Sequence, residues 1–245
     1  MTDTVNQSFL DYCASYAGID GGDDNAEYWF IGMEWSASDD ITAPADGKWN
    51  TKYEYDDDLR LDEKNYDDWK LEKELDKIYK KLLPKTGKTI FDKNSNSFKL
   101  NLFPIPFKND NEKDLWGEKY AALTGFASFN DYQKGVIAAR QKVFQELLQK
   151  GKHPKTIFCF GKVYESFFLK LFAPQMVNFK RKDCKPVELP HAKSGGYKVG
   201  VEVYKIGTPL IKQILICPFP YTKSYKMDED DFNEIANIAN DNCNK

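Results

Sequence analysis

The stretch YWFIGMEWS, residues 28–36, runs apolar to a glycine and then presents a single carboxylate, Glu34. An apolar run that closes on glycine is the pattern of a buried parallel strand, and the residue just past its C-terminal end faces the crevice where open α/β sheets take ligands. Glu34 is placed to act on a bound molecule; as a helix-entry carboxylate beside Ser36 and Ser38, it could instead cap a following turn. The loops after three further apolar strands carry Asn101 within KLNLFPIPF, Gly161–Lys162 within TIFCFGKVY, and Cys217 to Thr222 within ILICPFPYT. A glycine between strand and helix, such as Gly161, leaves backbone N–H groups for a phosphate, or serves close packing. Lys162 and Lys223 favour the phosphate reading. FKRKDCK at 179–185, with Lys180, Arg181 and Lys182, has the composition of a nucleic-acid patch and equally that of a solvated loop.

Several chemistries lack their residues. No GxGxxG or GxxxxGK[ST] stretch is present, which removes the main support for a dinucleotide or P-loop site. There is no G-x-S-x-G, and His153 and His191 are the only histidines, so a Ser–His–Asp hydrolase is poorly supplied. The five cysteines are scattered without a CxxC pair, which predicts buried reduced thiols rather than a metal site or disulfide framework. The chain is expected to need neither metal nor cofactor. No window resembles a membrane span and the N-terminus has no basic-then-apolar leader pattern, so the expectation is a cytoplasmic protein that does not engage a membrane.

Charge is unevenly distributed. Residues 53–77 hold eleven Asp/Glu against five Lys/Arg, whereas residues 178–226 hold ten Lys/Arg against three Asp/Glu. This asymmetry predicts one face that attracts polyanions on an otherwise acidic body, the alternative being lysine-rich loops that are merely solvated. The acidic segment is expected to face away from DNA or to contact a basic protein partner.

The elements that must position these residues follow from periodicity. Apolar residues at helical spacing end at Gly18; Leu71, Leu75, Ile78 and Leu82 form a stripe within a helix over 63–83 that Pro84 stops; two more helices occupy 131–150 and 228–241, and VYESFFLKLF forms another. Strands are predicted at 28–32, 98–102, 155–161, 197–206 and 213–221. Four apolar strands, each followed by a loop and mostly by helix, predict an α/β fold: a three-layer α/β/α sandwich with a central four-stranded parallel sheet. A single domain spans 1–245, with an acidic helical insertion at about 50–84 and a basic loop or hairpin insertion at about 178–206.

WFIGMEWS, KLNLFPIPF, TIFCFGKVY and ILICPFPYT, in that order, resemble the ordered signature of the uracil-DNA glycosylase superfamily: a strand ending in G-x-D/N-P or G-E-x-P, an asparagine strand, a strand ending L-G-K, and a last strand entering P-H-P-S or N-P-S. The likeness covers roughly residues 26–225 in order, spacing and strand type, with direct identity at a few positions. It implies a glycosylase-like fold and DNA base excision in DNA repair: hydrolysis of the N-glycosidic bond of uracil or another altered base in single- or double-stranded DNA. Glu34 would hold the attacking water and face the cationic sugar. Asn101 would read the pyrimidine edge, its amide donating to one base atom and accepting from the next; a buried asparagine serving the FPIPF backbone is the competing reading.

The chain also departs from the signature. Trp35 stands where the first motif has proline, and Phe219 where the last has its histidine, so the donor to the leaving base is missing. Trp35, Phe219 and Tyr221 could stack on or wedge between bases, or pack in the core; Trp49, Phe91 and Phe103 are further candidates for the stacking ring. The resemblance therefore implies two activities, excision, or binding of nucleic acid or modified nucleotides without cleavage.

Overall fold

Every residue of strand β2 (Tyr28–Gly32) from Trp29 on is buried, and alternate side chains enter opposite cores, Trp29 and Ile31 one and Phe30 the other. Burial on both faces is what a parallel strand between helical layers requires. The computed structural model describes residues 5–33, 48–52, 54–55, 70–92, 94–105, 114–176, 186–220, 222 and 225–240. Glu34, Trp35, Lys180, Arg181, Lys182, Tyr221 and Lys223 lie outside the described residues, as do 56–69 of the acidic segment and 177–185 of the basic one.

The remaining strands are β1 (Ile19–Gly22), β3 (Ser97–Asn101), β4 (Lys155–Phe160), β5 (Val187–Ser194), β6 (Tyr197–Lys205) and β7 (Ile211–Cys217). They form one sheet in the order β1-β3-β2-β4-β7-β6-β5. Neighbours β3, β2, β4 and β7 run parallel, while β1 joins β3, and β6 joins β7 and β5, antiparallel. The expected four-stranded parallel sheet is therefore corrected to a mixed seven-stranded one. The added strands are local: β1 is short and glycine-rich, and β5–β6 is a hairpin closed by Gly195–Gly196, both at positive φ.

Seven helices cover the faces: α1 (Gln7–Cys13), α2 (Lys70–Leu82), α3 (Trp116–Lys119), α4 (Ala121–Thr124), α5 (Phe129–Lys150), α6 (Glu165–Phe172) and α7 (Glu229–Asn240). Phe9, Val136, Phe144 and Phe168 join Trp29, Ile157 and Ile214 in one core; Leu75, Ile78, Phe232 and Ile235 join Phe30, Phe158 and Leu215 in the other. The sheet thus has helices on both faces.

Helix starts follow their caps. Ser128 Oγ accepts from the Asp131 N–H at 3.1 Å to open α5, and Asp228 accepts from the N–H groups of Asp230 and Asp231 at 3.1 and 3.2 Å to open α7. The acidic first turn of α7, Glu229 to Asp231, also suits the positive end of the helix dipole. No helix of the described residues is long and apolar enough to cross a membrane.

Candidate functional site

Because β3, β2, β4 and β7 are adjacent and parallel, their C-terminal ends share one edge of the sheet. That edge carries Asn101 as the last residue of β3, Gly32–Met33 at the end of β2, Gly161–Lys162 after β4, and Pro218–Phe219 after β7. Four of the sequence segments singled out above meet there, as loops following parallel strands must.

Asn101 is fixed on nearly every side. Its N–H donates to the Gly18 carbonyl at 2.7 Å, its carbonyl accepts from Arg140 Nη2 at 3.3 Å, and its Nδ2 donates to both oxygens of Asp20 at 3.0 and 3.2 Å. Its side chain leans over β2, where a Cβ on Gly32 would stand 2.5 Å from Oδ1. Asn101 is 1% exposed, and its Oδ1 is buried without a hydrogen-bond partner. A buried acceptor left unpaired costs free energy, about 1–3 kcal/mol, and such a group calls for an explanation.

Arg140 is likewise buried; Nη1 donates to the carbonyl of Ala17 at 2.5 Å, and burial lowers its pKa to about 10. It joins the turn after α1 to the end of β3.

Sequence reasoning missed the group behind Asn101. Lys99, two residues earlier and on the same face of β3, is buried and forms ion pairs with Asp20 and, at 2.9 Å, with Glu72 of α2. Burial lowers the ammonium of Lys99 to about 7 and raises the carboxyl of Glu72; the ion contacts oppose both shifts. The readable signal was a lysine in the interior of an otherwise buried strand, SFKLN. Its partners are remote in sequence.

The other candidates fall as follows. Gly161 has φ 114°, and a Cβ there would lie 3.0 Å from the sulfur of Met33; its N–H donates to the Cys217 carbonyl at 3.0 Å. That N–H is therefore committed within the sheet edge, and close packing accounts for the glycine. Lys162 Nζ lies 3.0 Å from Glu202 of β6. Phe219 is half-buried against the α2/α7 core, and its carbonyl accepts from Tyr225 Oη at 2.9 Å. Trp49 and Phe103 are buried, the first against Phe9 and Tyr12 and the second against Tyr132 and Tyr164, which removes both as stacking surfaces. Phe91 is partly buried against the α2/α7 core.

Cys13, Cys159 and Cys217 are buried free thiols whose pKa values burial pushes up, the state of inert core cysteines. His191, Asp228 and Asp230 bring three possible ligand atoms within 4.8 Å of one another, all exposed, at the start of α7 where Asp228 is already the cap.

No family model, curated protein or solved structure matches this chain.

Proposed function

We propose that this chain is a DNA base-excision glycosylase of the uracil-DNA glycosylase type, hydrolysing the N-glycosidic bond of uracil or another altered base. The observation that carries the reading is Asn101: a carboxamide at the C-terminal edge of a parallel sheet, held from behind by Asp20 and keeping a buried acceptor unpaired. An extruded base bearing an N–H is the kind of group that satisfies such an acceptor. Further support comes from the four signature segments following strands that are mutually adjacent and parallel.

In this reading the C1′–N bond breaks with its electron pair leaving on the base, and the oxygen of a water forms the new bond to C1′. Glu34, next in the chain after Met33, orients that water, offsets the positive charge developing on the sugar, and accepts the water's proton, which then passes to the departing base. The carbonyl of Met33 accepts from the Phe103 N–H at 2.7 Å, so the chain entering Glu34 is tied to the strand that ends in Asn101.

Incubation with uracil-containing single- and double-stranded oligonucleotides, followed by alkali, tests this reading. Strand scission at uracil is expected. Absence of abasic sites with uracil and with other altered bases would overturn it.

Phe219 favours a second reading, a glycosylase-fold protein that binds nucleic acid or modified nucleotides without cleaving them. At the place where the signature has histidine, this side chain offers no donor to a leaving base, while its ring offers a stacking surface. Binding without abasic sites in the same assay is the outcome for that reading.

A further inference from the structure

We infer that Asp20 is a positioning residue that sets which end of the Asn101 carboxamide meets the base edge, and so selects bases of the uracil type, with a ring N–H beside a carbonyl, over those of the cytosine type. The inference rests on the reading of Asn101 as the group that contacts the base.

An asparagine carboxamide has nearly the same shape in its two orientations, so what decides between them is the hydrogen-bonding neighbour. Here that neighbour is a carboxylate, which in its ionised form only accepts. Both Asp20 oxygens lie within hydrogen-bond distance of the same side-chain nitrogen, at 3.0 and 3.2 Å. Lys99 sits against Asp20 in turn and holds it ionised, and Glu72 at 2.9 Å holds Lys99 from the other side. All three side chains are largely buried, with exposures of 5% for Lys99, 10% for Asp20 and 14% for Glu72. The chain Glu72–Lys99–Asp20 therefore keeps Nδ2 turned toward Asp20 and leaves Oδ1 as the unpaired acceptor.

The consequence is chemical. With Oδ1 facing ring N3 and a remaining Nδ2 proton facing the substituent at C4, the amide matches the N–H and carbonyl of uracil. The reversed amide would match the bare ring nitrogen and amino group of cytosine. An asparagine free to turn could read either, whereas one fixed by Asp20 reads the first.

Asp20→Asn is the test. The new side chain nearly preserves shape but can donate as well as accept, and among these three groups it leaves Lys99 and Glu72 as a neutral pair. Binding of single-stranded oligonucleotides that differ only in one uracil or one cytosine is compared, along with the side-chain amide signals of Asn101 in a ¹⁵N NMR spectrum, assigned through Asn101→Asp. In the parent, uracil is expected to be preferred by about 5- to 150-fold, the discrimination one bidentate pairing supplies. In Asp20→Asn that ratio collapses toward one and the Asn101 amide signals shift, while the thermal midpoint changes little. Should Asp20→Asn fail to fold, Asp20→Glu keeps the charge but displaces it by a methylene, and is expected to lower the ratio as well.

A parent that prefers uracil and a variant that keeps the full ratio would overturn the role of Asp20 and leave the proposed function standing. A parent that binds neither oligonucleotide would overturn the base-recognition reading and the selectivity with it. In that case unshifted Asn101 signals in Asp20→Asn would also remove the positioning role.

Discussion

A Cβ on Gly32 would stand 2.5 Å from Oδ1 of Asn101, a residue with which Gly32 is paired across β2 and β3. The glycine that ends the YWFIG strand is therefore what admits the carboxamide oxygen over the neighbouring strand. The final glycine of the first signature segment and the asparagine of the second form one steric unit.

Gly32→Ala is expected to impair base recognition before it impairs folding. Gly32 is not among the positive-φ glycines, so alanine strains no backbone angle, but the methyl group must displace Asn101 at a cost of about 1–3 kcal/mol. A lowered but cooperative thermal transition, with uracil binding lost, is the expected pair of results. Undiminished binding would show that Asn101 does not contact the base.

Asp231 joins α7 to the edge strand β5. It is 1% exposed; Oδ1 accepts from the N–H groups of His191 and Ala192 at 2.9 and 3.1 Å, and Oδ2 from that of Asp228 at 3.2 Å. Asp231→Ala strands these donors, at about 1–3 kcal/mol for each that becomes a buried unsatisfied group. Urea unfolding should show the loss, and hydrogen exchange should accelerate first at the amides of His191 and Ala192. Equal protection there in parent and variant would rule out the connection.

The same junction gives a pH signature. Asp228 lies 2.6 Å from His191 Nδ1; this contact raises the imidazole above its ordinary 6.5, and the backbone and histidine hydrogen bonds to Asp228 carry its carboxyl below 3.8. A raised imidazole contributes stability that is complete below 6.5 and is lost as pH rises through its folded value. A lowered carboxyl contributes above 3.8 and loses its part as pH falls through its own folded value. His191→Ala should therefore lower the thermal midpoint most between pH 3.8 and 6.5 and converge on the parent in alkaline buffer. Because both groups are exposed, the difference is expected to be small and to shrink with salt. A gap of constant size across pH would assign the contact no electrostatic part.

What the sequence disclosed and what it hid divide along the range of the interactions. β2, β4 and β7 were legible because each is an apolar run buried on both faces, and α5 because its apolar stripe starts at Ser128 and stops at Gly151. β1 was not legible: IDGG has no alternation, and its strand character comes from pairing with β3 nearly 80 residues later, as in Gly22 with Phe98. β5, with both prolyl and charged residues, was absorbed into a loop, although Asp231 and β6 complete its backbone hydrogen bonding. Lys99 reads as an outward residue of an alternating strand, and only Asp20 and Glu72, brought in by tertiary structure, make its burial tolerable. Phe103 and Trp49 show the converse, since aromatic content suited to base stacking was spent on the core.

The basic segment gives a prediction that does not depend on which base is read. Alanine at Lys180, Arg181 and Lys182 should weaken nucleic-acid binding uniformly across sequences and flatten its dependence on salt, because each lost phosphate contact releases one counterion fewer. Titration at low and high salt measures this directly. Parent-like affinity at both would make the segment a solvated loop, and since Lys162 is engaged by Glu202 at 3.0 Å, the phosphate contacts would then have to come from elsewhere.

Glu34 and Phe219 decide between excision and binding alone. If the parent excises, Glu34→Gln should slow it by roughly 10²–10⁴-fold with folding and binding nearly intact, because an amide keeps the shape of the side chain but can neither take the water's proton nor balance a cationic sugar. Tighter binding of the uncleaved substrate is compatible with that loss. If the parent only binds, Phe219→Ala should reduce affinity by the worth of one stacked base, about 1–3 kcal/mol. Phe219→His restores the donor of the family signature and is expected to bring measurable cleavage to a silent site, read as alkali-labile abasic sites in uracil-containing strands. An active parent whose rate is indifferent to Glu34→Gln would remove the carboxylate from the mechanism, and a silent parent that stays silent with histidine at 219 would place the missing step beyond the leaving-group donor.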